Sequence, residues 1–222
     1  MLNQIESKLI NTKINSIKPK SLEIISADKV LKNFLNLKSA QPKALVEKIE
    51  KNPVEIFFYS FNSSFGKIRI FADKSKVLAI DFDKTKNNNS YIFENFPDSK
   101  LLESKIYCEK FFEKIFYSQK KVSIKTGIKG SDFFIKILTA LSQTNSGELI
   151  SYKKLGKKAG FSNAHRAVGT AMKKNPIPFL IPCHRVIKSN LTLGFYSGGI
   201  ERKIIYILRE NNHLIPKNLS TD

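Results

Sequence analysis

The stretch NPIPFLIPCHRVI, residues 175–187, carries the most informative residues of the chain. Its apolar part, IPFLI at 177–181, is typical of a buried strand, and Cys183, His184 and Arg185 follow it almost at once. A cysteine at the end of an apolar segment is usually a small buried core residue. It can also be a nucleophile, because a neighbouring base or cation makes a thiol reactive by favouring its thiolate. Position alone leaves both interpretations open.

A nucleophilic Cys183 would need a base, and His184 is the nearest candidate in the sequence. Side chains of adjacent residues rarely touch, so we expect the two to communicate through a bound water. A histidine in that role needs an acceptor on its second ring nitrogen. Glu210 lies three residues past Ile207, at the flank of an apolar helical stripe, and is the candidate acceptor. Its other interpretation is an ordinary charged residue near a helix end.

Charge favours a polyanionic partner. The chain has 222 residues with a net charge of +19, from 38 Lys and Arg against 19 Asp and Glu. This excess of positive charge favours nucleic acid over a membrane surface as the binding partner. A soluble protein from a lysine-rich proteome would show the same excess. With 41% hydrophobic residues the chain can fill the core of one large domain or two small ones.

The positions of the cysteines and the lack of long apolar runs limit the classes of protein that remain. Cys108 and Cys183 are far apart, and no CxxC pair exists, so we expect no structural zinc site and no disulfide framework. A reducing compartment follows from this, namely the cytoplasm, or the nucleus in a eukaryote. We expect no membrane span and no secretory signal, since no apolar run is long enough.

The pattern of elements predicts an α/β (α+β) chain. Residues 40–52 are expected to form a short helix within a lysine-rich extension of unknown role. A small antiparallel sheet follows, with strands near 54–61, 67–72 and 77–83, a loop at 84–91, and a helix over 101–116. The predicted boundaries are 1–52 for the extension, 53–126 for the N-terminal α/β domain, 127–131 for a linker, 132–215 for a mostly helical domain, and 216–222 for a tail.

The C-terminal domain contains a predicted helix-turn-helix. Ser131 and Ser151 can each cap a helix, and Ser162 or Asn163 can cap a further one over 164–174. Two short helices joined by a tight glycine-containing turn have the spacing of a DNA-binding helix pair. The lysines on this pair favour a nucleic-acid face over a merely solvated one, and they are Lys153, Lys154, Lys157, Lys158, Lys173 and Lys174.

These motifs together resemble one family. IPCHRVI at 181–187, preceded by RAVGTAMKKNPIP and followed by GFYSGGIERK, resembles the O6-alkylguanine-DNA alkyltransferases. The resemblance is strong over about 131–212, weak over about 55–130, and does not extend to 1–52. Three linked motifs in the correct order are a more specific signal than a single short match.

The resemblance implies a role for each residue of the reaction. Cys183 would accept the alkyl group from guanine O6, His184 would deprotonate it through a water, and Glu210 would orient the histidine. Tyr152 resembles the tyrosine that donates a proton toward guanine N3. Asn175 resembles the asparagine hinge between the recognition helix and the active-site segment.

A second set of residues is implied in binding DNA. Arg166 resembles the finger that fills the stack when a nucleotide is extruded. Tyr196 and Ser197 resemble the lid over the bound base, and Val186 would offer its backbone carbonyl to the exocyclic amine. The helix would dock in the minor groove. The further residues expected to bind substrate or DNA are Ala164, Ala167, Gly169 and Met172.

The family's fold and activity follow as expectations. A ribonuclease-H-like N-terminal domain would precede a winged-helix-like C-terminal domain. The protein would act as a monomer, without cofactor or metal, on double-stranded DNA containing O6-alkylguanine. It would flip O6-methylguanine, and O4-methylthymine, out of the duplex and transfer the alkyl group irreversibly to Cys183. It would thus be a methylated-DNA–protein-cysteine S-methyltransferase that acts once.

Two alternatives remain open. A DNA-binding damage sensor without chemistry would replace the acceptor cysteine, often by tryptophan, whereas this chain has Cys183 and no tryptophan. An adaptive-response regulator would need a transcription-factor domain, and 1–52 is too short for a complete one. We therefore expect the alkyl-transfer activity.

Overall fold

The structure, a computed structural model, describes residues 41–63, 66–82, 90–118 and 120–211. Within these ranges the chain forms a mixed α/β fold with a six-stranded sheet, six α-helices and a small second sheet. The elements in order are β1 (Lys43–Lys48), β2 (Glu55–Ser63), β3 (Gly66–Ala72), β4 (Val77–Phe82), α1 (Ser90–Asn95), β5 (Lys100–Glu103), α2 (Lys105–Phe116), β6 (Ser123–Ile128), α3 (Asp132–Ser142), β7 (Ile150–Ser151), α4 (Tyr152–Lys158), α5 (His165–Lys173), a 3-10 turn (Cys183–Arg185), β8 (Val186–Ile187) and α6 (Ile200–Glu210).

The large sheet is mixed rather than antiparallel. Its strand order is β1-β6-β4-β3-β2-β5. Only the central β2–β3–β4 meander is antiparallel, as predicted, whereas β1 and β4 pair with β6 in parallel and β2 pairs with β5 in parallel. Helices or longer connections precede β5 and β6, and such crossovers are what parallel pairs require.

The prediction of a helix over 40–52 is wrong. Residues Lys43–Lys48 form the edge strand β1, with Ala44 opposite Ile124 in a parallel register with β6. Pairing with a strand about 80 residues away decides the conformation here, and local sequence does not reveal such a partner. Part of the predicted extension therefore belongs to the sheet, while 1–40 lies outside the described residues.

Two further differences concern the N-terminal helices. The helix predicted over 101–116 begins at Lys105, because Lys100–Glu103 pairs with β2 as strand β5. A short helix, Ser90–Asn95, begins at the end of the segment predicted as a loop. Residues 84–89 of that loop lie outside the described residues.

One apolar core joins the sheet to the C-terminal helices. The same cluster contains Ile70 of β3, Phe116 of α2, Leu141 of α3 and Cys183. Ile80 of β4 also donates its backbone N–H to the carbonyl of Pro176, at 2.8 Å. The sheet thus supports the segment that leads to Cys183.

The helix-turn-helix forms as predicted, with one different cap. Ser131 caps α3 and Ser151 caps α4, and each side chain accepts a backbone N–H. The N-cap of α5 is Ala164, not Ser162 or Asn163, since Asn163 adopts a φ of 60° in the turn. No helix within the described ranges is both long and apolar enough to cross a bilayer.

Gly156 allows the two helices of this pair to approach closely. A Cβ at this position would lie 3.0 Å from the carbonyl oxygen of Phe161 and 3.3 Å from Val168 Cγ2. Any larger residue would therefore push α5 away from α4.

The predicted strand at 177–181 is a compact buried turn. Ile181 donates its N–H to the carbonyl of Ile177 at 2.9 Å, and Phe179 has a φ of 71°. Pro178 has no N–H to donate to a sheet ladder, so the apolar run cannot act as a central strand. The segment is held instead by side-chain hydrogen bonds, which also shape the site.

Candidate active site

Cys183 begins the 3-10 turn, and its sulfur accepts a hydrogen bond. The residue is only 3% exposed, and Asn175 Nδ2 donates to its Sγ at 3.1 Å. The same amide nitrogen donates to the carbonyl of Ile181 at 2.9 Å, while Asn175 Oδ1 accepts the N–H of Ile177 at 3.1 Å. One asparagine side chain therefore holds both ends of the buried turn and directs a donor at the sulfur.

The surroundings of the thiol act in two directions on its pKa. Burial raises the pKa of Cys183, whereas the Asn175 donor, the positive charge of Lys203 and the nearby Tyr196 hydroxyl lower it. The Tyr196 hydroxyl is close enough to influence the sulfur, yet it makes no hydrogen bond of good geometry within the described residues. Burial is the largest of these effects and the net shift of the pKa is upward, so the thiol keeps its proton until a base accepts it, while the three groups offset part of the cost of a thiolate.

His184 is completely buried and paired with a carboxylate. Its Nε2 lies 2.7 Å from Glu210 Oε1. Because an ionised carboxylate only accepts, we assign the ring proton to Nε2 and the lone pair to Nδ1. Nδ1 makes no hydrogen bond to any described residue. Burial lowers the pKa of His184 although Glu210 opposes this, so the ring is neutral and its Nδ1 is basic at neutral pH.

Glu210, at the end of α6, is held from three sides. Arg185 donates from Nε to Oε2 at 2.8 Å and from Nη2 to Oε1 at 3.0 Å, and the backbone N–H of Gly147 donates to Oε2 at 3.0 Å. Burial would raise the pKa of Glu210, but His184 and Arg185 lower it to about 2. The carboxylate is ionised and has one orientation.

Arg185 connects the site to distant parts of the chain, and sequence reasoning did not identify it. Its Nη1 donates to the carbonyl oxygen of Thr144 at 2.6 Å and to Thr144 Oγ1 at 2.9 Å. Its Nη2 also donates to Gln41 Oε1, and Gln41 Nε2 donates to the carbonyl of Phe179 at 3.2 Å. Gln41, two residues before β1, therefore contacts both the arginine and the turn that leads to Cys183.

Lys203 is a second residue that sequence reasoning missed. It is fully buried in α6, and its Nζ donates to the carbonyl oxygens of Val186 at 2.6 Å and Leu193 at 2.5 Å. Burial lowers the pKa of Lys203 to about 8, while the charge of Cys183 opposes the shift. A lysine within the apolar stripe of α6 was the available signal. The Val186 carbonyl already accepts this bond, and its second lone pair is left for another donor.

Tyr152 and the 194–197 segment form the rim of the site. Tyr152 is half-buried at the start of α4, and burial followed by the charge of Cys183 raises its pKa. Gly194 has a φ of 68°, and a Cβ there would lie 3.0 Å from the Tyr152 hydroxyl. Tyr196 is buried and Ser197 half-buried. Glycine at 194 thus lets this segment lie directly against Tyr152.

Helix α5 presents a basic face of small residues, with one exception. Arg166 and Ala167 are exposed, and a Cβ at Gly169 would meet nothing within 4 Å. Ala164 is half-buried at the N-cap, whereas Met172 is buried in the core. Helical spacing places Met172 on the same inner side as Val168, and its expected part in binding substrate or DNA stays a prediction. The six lysines of the pair are exposed.

The described residues contain no group of three or more His, Cys, Asp or Glu side chains that could hold a metal ion. The chemistry available is that of a buried thiol with a neutral histidine, an ionised carboxylate and a buried lysine around it. Such a set can generate a thiolate and carry away its proton.

Comparison with known proteins points to one family. The model of a family described as "6-O-methylguanine DNA methyltransferase, DNA binding domain" matches residues 132–212. A methylated-DNA–protein-cysteine methyltransferase of Cricetulus griseus is 34% identical over 154 residues, which are 63% of this chain and 74% of that protein. The one from Methanosarcina acetivorans is 30% identical over 151 residues, covering 67% of this chain and 94% of the other.

The fold also matches a solved structure. The crystal structure of Mycobacterium tuberculosis OGT in complex with DNA superposes with a TM-score of 0.59 at 22% identity, over 70% of this chain and 93% of that one. At this identity the similarity concerns the fold. Taken with the relatives, which match over most of their own length, it shows that the chain belongs to the methylated-DNA–protein-cysteine methyltransferase family.

Proposed function

We propose that this protein repairs DNA by transferring an alkyl group from O6 of guanine in duplex DNA to Cys183. The observation that carries the proposal is a buried sulfur that accepts a hydrogen bond from Asn175, beside a neutral His184 oriented by Glu210. A thiol that accepts a donor is prepared to lose its proton. The family membership of the chain supports the same reaction.

The reaction is a displacement at the alkyl carbon. The Cys183 sulfur forms a bond to that carbon while the bond between the carbon and guanine O6 breaks, and the electron pair stays with the guanine. The thiol proton passes to Nδ1 of His184 through a bridging water, and the repaired guanine takes up one proton. Tyr152 donates toward N3 as charge reaches the base. The product is a thioether, which water does not hydrolyse, so each molecule acts once.

Access to the sulfur requires the base to leave the helix. Cys183 is buried, and a base stacked in a duplex cannot reach it. Ala167 and Gly169 on α5 allow close approach to the minor groove, and Arg166 fills the space left by the extruded nucleotide. The Val186 carbonyl and Ser197 hold the flipped base. O4-methylthymine is a second expected substrate, because a damaged base that pairs poorly costs less free energy to extrude from the duplex.

The finer architecture is part of this proposal. The antiparallel β2–β4 meander with parallel outer strands supports a ribonuclease-H-like N-terminal domain. Helices α3 to α5 with the β7–β8 pair support a winged-helix-like DNA-binding domain. The protein acts as a monomer and without a cofactor, since every group that the chemistry needs comes from one chain.

The proposal is tested with a duplex that contains one O6-methylguanine with a labelled methyl group. We expect the protein to take up one methyl per chain, with no further transfer when substrate is added in excess. Binding without transfer would instead favour a damage sensor, and binding restricted to one operator sequence would favour a regulator. Continued turnover would contradict the single-use mechanism.

Arg166 provides a test of base flipping. Arg166→Ala should slow transfer from duplex DNA more than transfer from the free base O6-benzylguanine, because a free base needs no extrusion. The matched control is Lys100→Ala at an exposed cation on β5, outside the helix pair, which should leave both rates unchanged. If Arg166→Ala slows transfer from both substrates equally, Arg166 does not assist extrusion of the nucleotide.

A further inference from the structure

Phe195 is an exposed aromatic residue at the rim of the Cys183 site. Its side chain is 63% exposed, although both of its neighbours are packed into the site. Gly194 lies against Tyr152, and Tyr196 is buried close enough to Cys183 to influence the thiol. The backbone on either side therefore fixes the position of Phe195 at the site entrance.

A lysine from a different element covers the face of this ring. Lys173 Nζ lies 5.1 Å from the centroid of Phe195. Lys173 is exposed at the last turn of α5, two residues before Asn175, whose amide contacts the sulfur. The pair thus connects the proposed recognition helix to the 194–197 segment at the rim of the Cys183 site.

An apolar ring beside a lysine ammonium matches the chemistry of a nucleotide backbone. A deoxyribose offers C–H groups to an aromatic face, and the phosphate next to it is an anion that attracts a lysine. Stacking of the Phe195 ring on a base is a weaker interpretation. In a duplex only the extruded base is unpaired, and that base would occupy the site around Cys183.

Resting on the proposed function, we propose that Phe195 and Lys173 form a two-part contact for the sugar and phosphate of the extruded nucleotide. Phe195 packs on the deoxyribose, and Lys173 binds the adjoining phosphate. The contact makes the protein discriminate an alkylated nucleotide from the same alkylated base alone. Phe195 and Lys173 are specificity residues, since neither touches the reacting atoms.

The test compares three substrates that add one part at a time. They are O6-methylguanine as the free base, O6-methyl-2′-deoxyguanosine, and a duplex containing the same lesion. Phe195→Ala should leave the rate with the free base unchanged and lower the rate with the nucleoside and the duplex about five- to tenfold, as expected for the loss of one apolar contact. Phe195→Leu should recover part of this loss.

Lys173→Gln should behave differently from the phenylalanine variant. It should leave both the base and the nucleoside unchanged and weaken duplex binding, with the slope of log affinity against log salt reduced by about one. The matched controls are Phe93→Ala and Lys74→Gln, at an exposed aromatic on α1 and an exposed lysine in the β3–β4 turn. Both controls should leave all three rates unchanged.

Two results would overturn the inference. If Phe195→Ala slows the free base as much as the nucleoside, the ring shapes the base pocket and does not contact the sugar. If it changes none of the three rates, the residue has no part in substrate selection. Failure of the proposed function is distinguishable from both, because the unsubstituted protein would then transfer no alkyl group from any substrate.

Discussion

The two cysteines of this chain are both buried, yet their hydrogen bonds are opposite in sense. Cys108 in α2 donates its S–H to the carbonyl of Ile70 at 3.7 Å. The Cys183 sulfur instead accepts an N–H from Asn175 at 3.1 Å. A sulfur that donates must keep its proton, and one that accepts is stabilised as a thiolate. Burial alone therefore does not distinguish the two cysteines of this chain, whereas the direction of their hydrogen bonds does.

The charges around the two sulfurs differ in the same way. Burial raises the pKa of Cys108 to about 12, and only the charge of Lys110 opposes it. That lysine is also engaged elsewhere, since its Nζ donates to the carbonyl of Lys74. Near Cys183, the buried Lys203 is held in place by two carbonyl groups. We interpret Cys108 as a core residue and Cys183 as the acceptor.

The largest expected effect comes from removing the sulfur of Cys183, and Cys108 is the matched control. Cys183→Ala should abolish methyl transfer while duplex binding remains. Cys108→Ala should transfer at the normal rate and lose about 1 kcal/mol of unfolding free energy, a usual cost for a core substitution. Single-turnover transfer and chemical denaturation measure the two effects. If the Cys108 variant is fully stable but transfers no methyl group, Cys108 is not merely a core residue and the contrast between the two cysteines is wrong.

Replacing Glu210 should have the next largest effect. Glu210→Gln removes the negative charge that orients His184 and balances Arg185, so we expect the transfer rate to fall about 10²- to 10⁴-fold, the usual contribution of general base catalysis. Leaving the buried Arg185 without its countercharge should also cost about 3 to 5 kcal/mol of stability, although Thr144 and Gln41 still accept its N–H groups. The control Glu109→Gln removes a partner of Lys105 at the surface, where we expect a change of under about 1 kcal/mol.

The pH dependence of transfer should reflect the buried histidine. Burial lowers the pKa of His184 below its ordinary value of 6.5, so the ring stays neutral and basic through the physiological range. The rate should be constant around pH 7 and fall about tenfold per pH unit only below the lowered pKa. A midpoint at or above 6.5 in the rate profile would contradict this.

Folding stability should decrease in acid because of Glu210. Its pKa is about 2 in the folded protein, against 4.5 as the ordinary value. A carboxyl group with a lowered pKa stabilises the fold above pH 4.5, and this contribution is lost as the pH falls from 4.5 through about 2. Denaturation at a series of pH values should show the loss in the unsubstituted protein, and Glu210→Gln should show less of it.

Sequence reasoning identified the residues that the proposed chemistry needs but not the buried cations that contact them. Cys183, His184 and Glu210 were predicted from a motif and a spacing, and the structure brings them together. The buried cations Arg185 and Lys203 were not predicted, because long-range partners decide whether a cation is buried. A local pattern does not contain that information.

The errors in the predicted elements have the same origin. An apolar run such as IPFLI is equally compatible with a strand and with a buried turn. Pro178 was the available signal against a strand. The edge strand Lys43–Lys48 resembles a helix locally and is extended because β6 pairs with it. Caps at Ser131 and Ser151 were predicted correctly, since a cap is decided within four residues.

A smaller effect is expected from replacing Asn175, whose amide contacts the sulfur of Cys183 and has no counterpart among the described residues at Cys108. Asn175→Ala removes the donor to Cys183 and leaves the carbonyl of Ile181 without its partner. The transfer rate should fall about tenfold, and stability by about 1 to 3 kcal/mol, the cost of an unsatisfied buried group. Asn95→Ala is the control, because its amide donates to the Tyr91 carbonyl in α1 and should change stability only.

The smallest effect tests the connection to the N-terminal part of the chain. Gln41→Ala removes the contacts to Arg185 and to the Phe179 carbonyl, while Thr144 still holds the arginine. We expect a two- to fivefold slower transfer, about 0.4 to 1 kcal/mol on the barrier. Gln143→Ala, at an exposed position after α3, should leave the rate unchanged. Equal rates in both variants would show that Gln41 does not position the site.

The most direct test of the central claim is the mass of the two cysteine peptides after reaction. The protein is incubated with excess duplex carrying O6-methylguanine, digested, and both peptides are measured. We predict one added methyl group on the peptide with Cys183 and none on the peptide with Cys108. A methyl group on Cys108, or unmodified Cys183 in a protein that binds the duplex, would contradict the account.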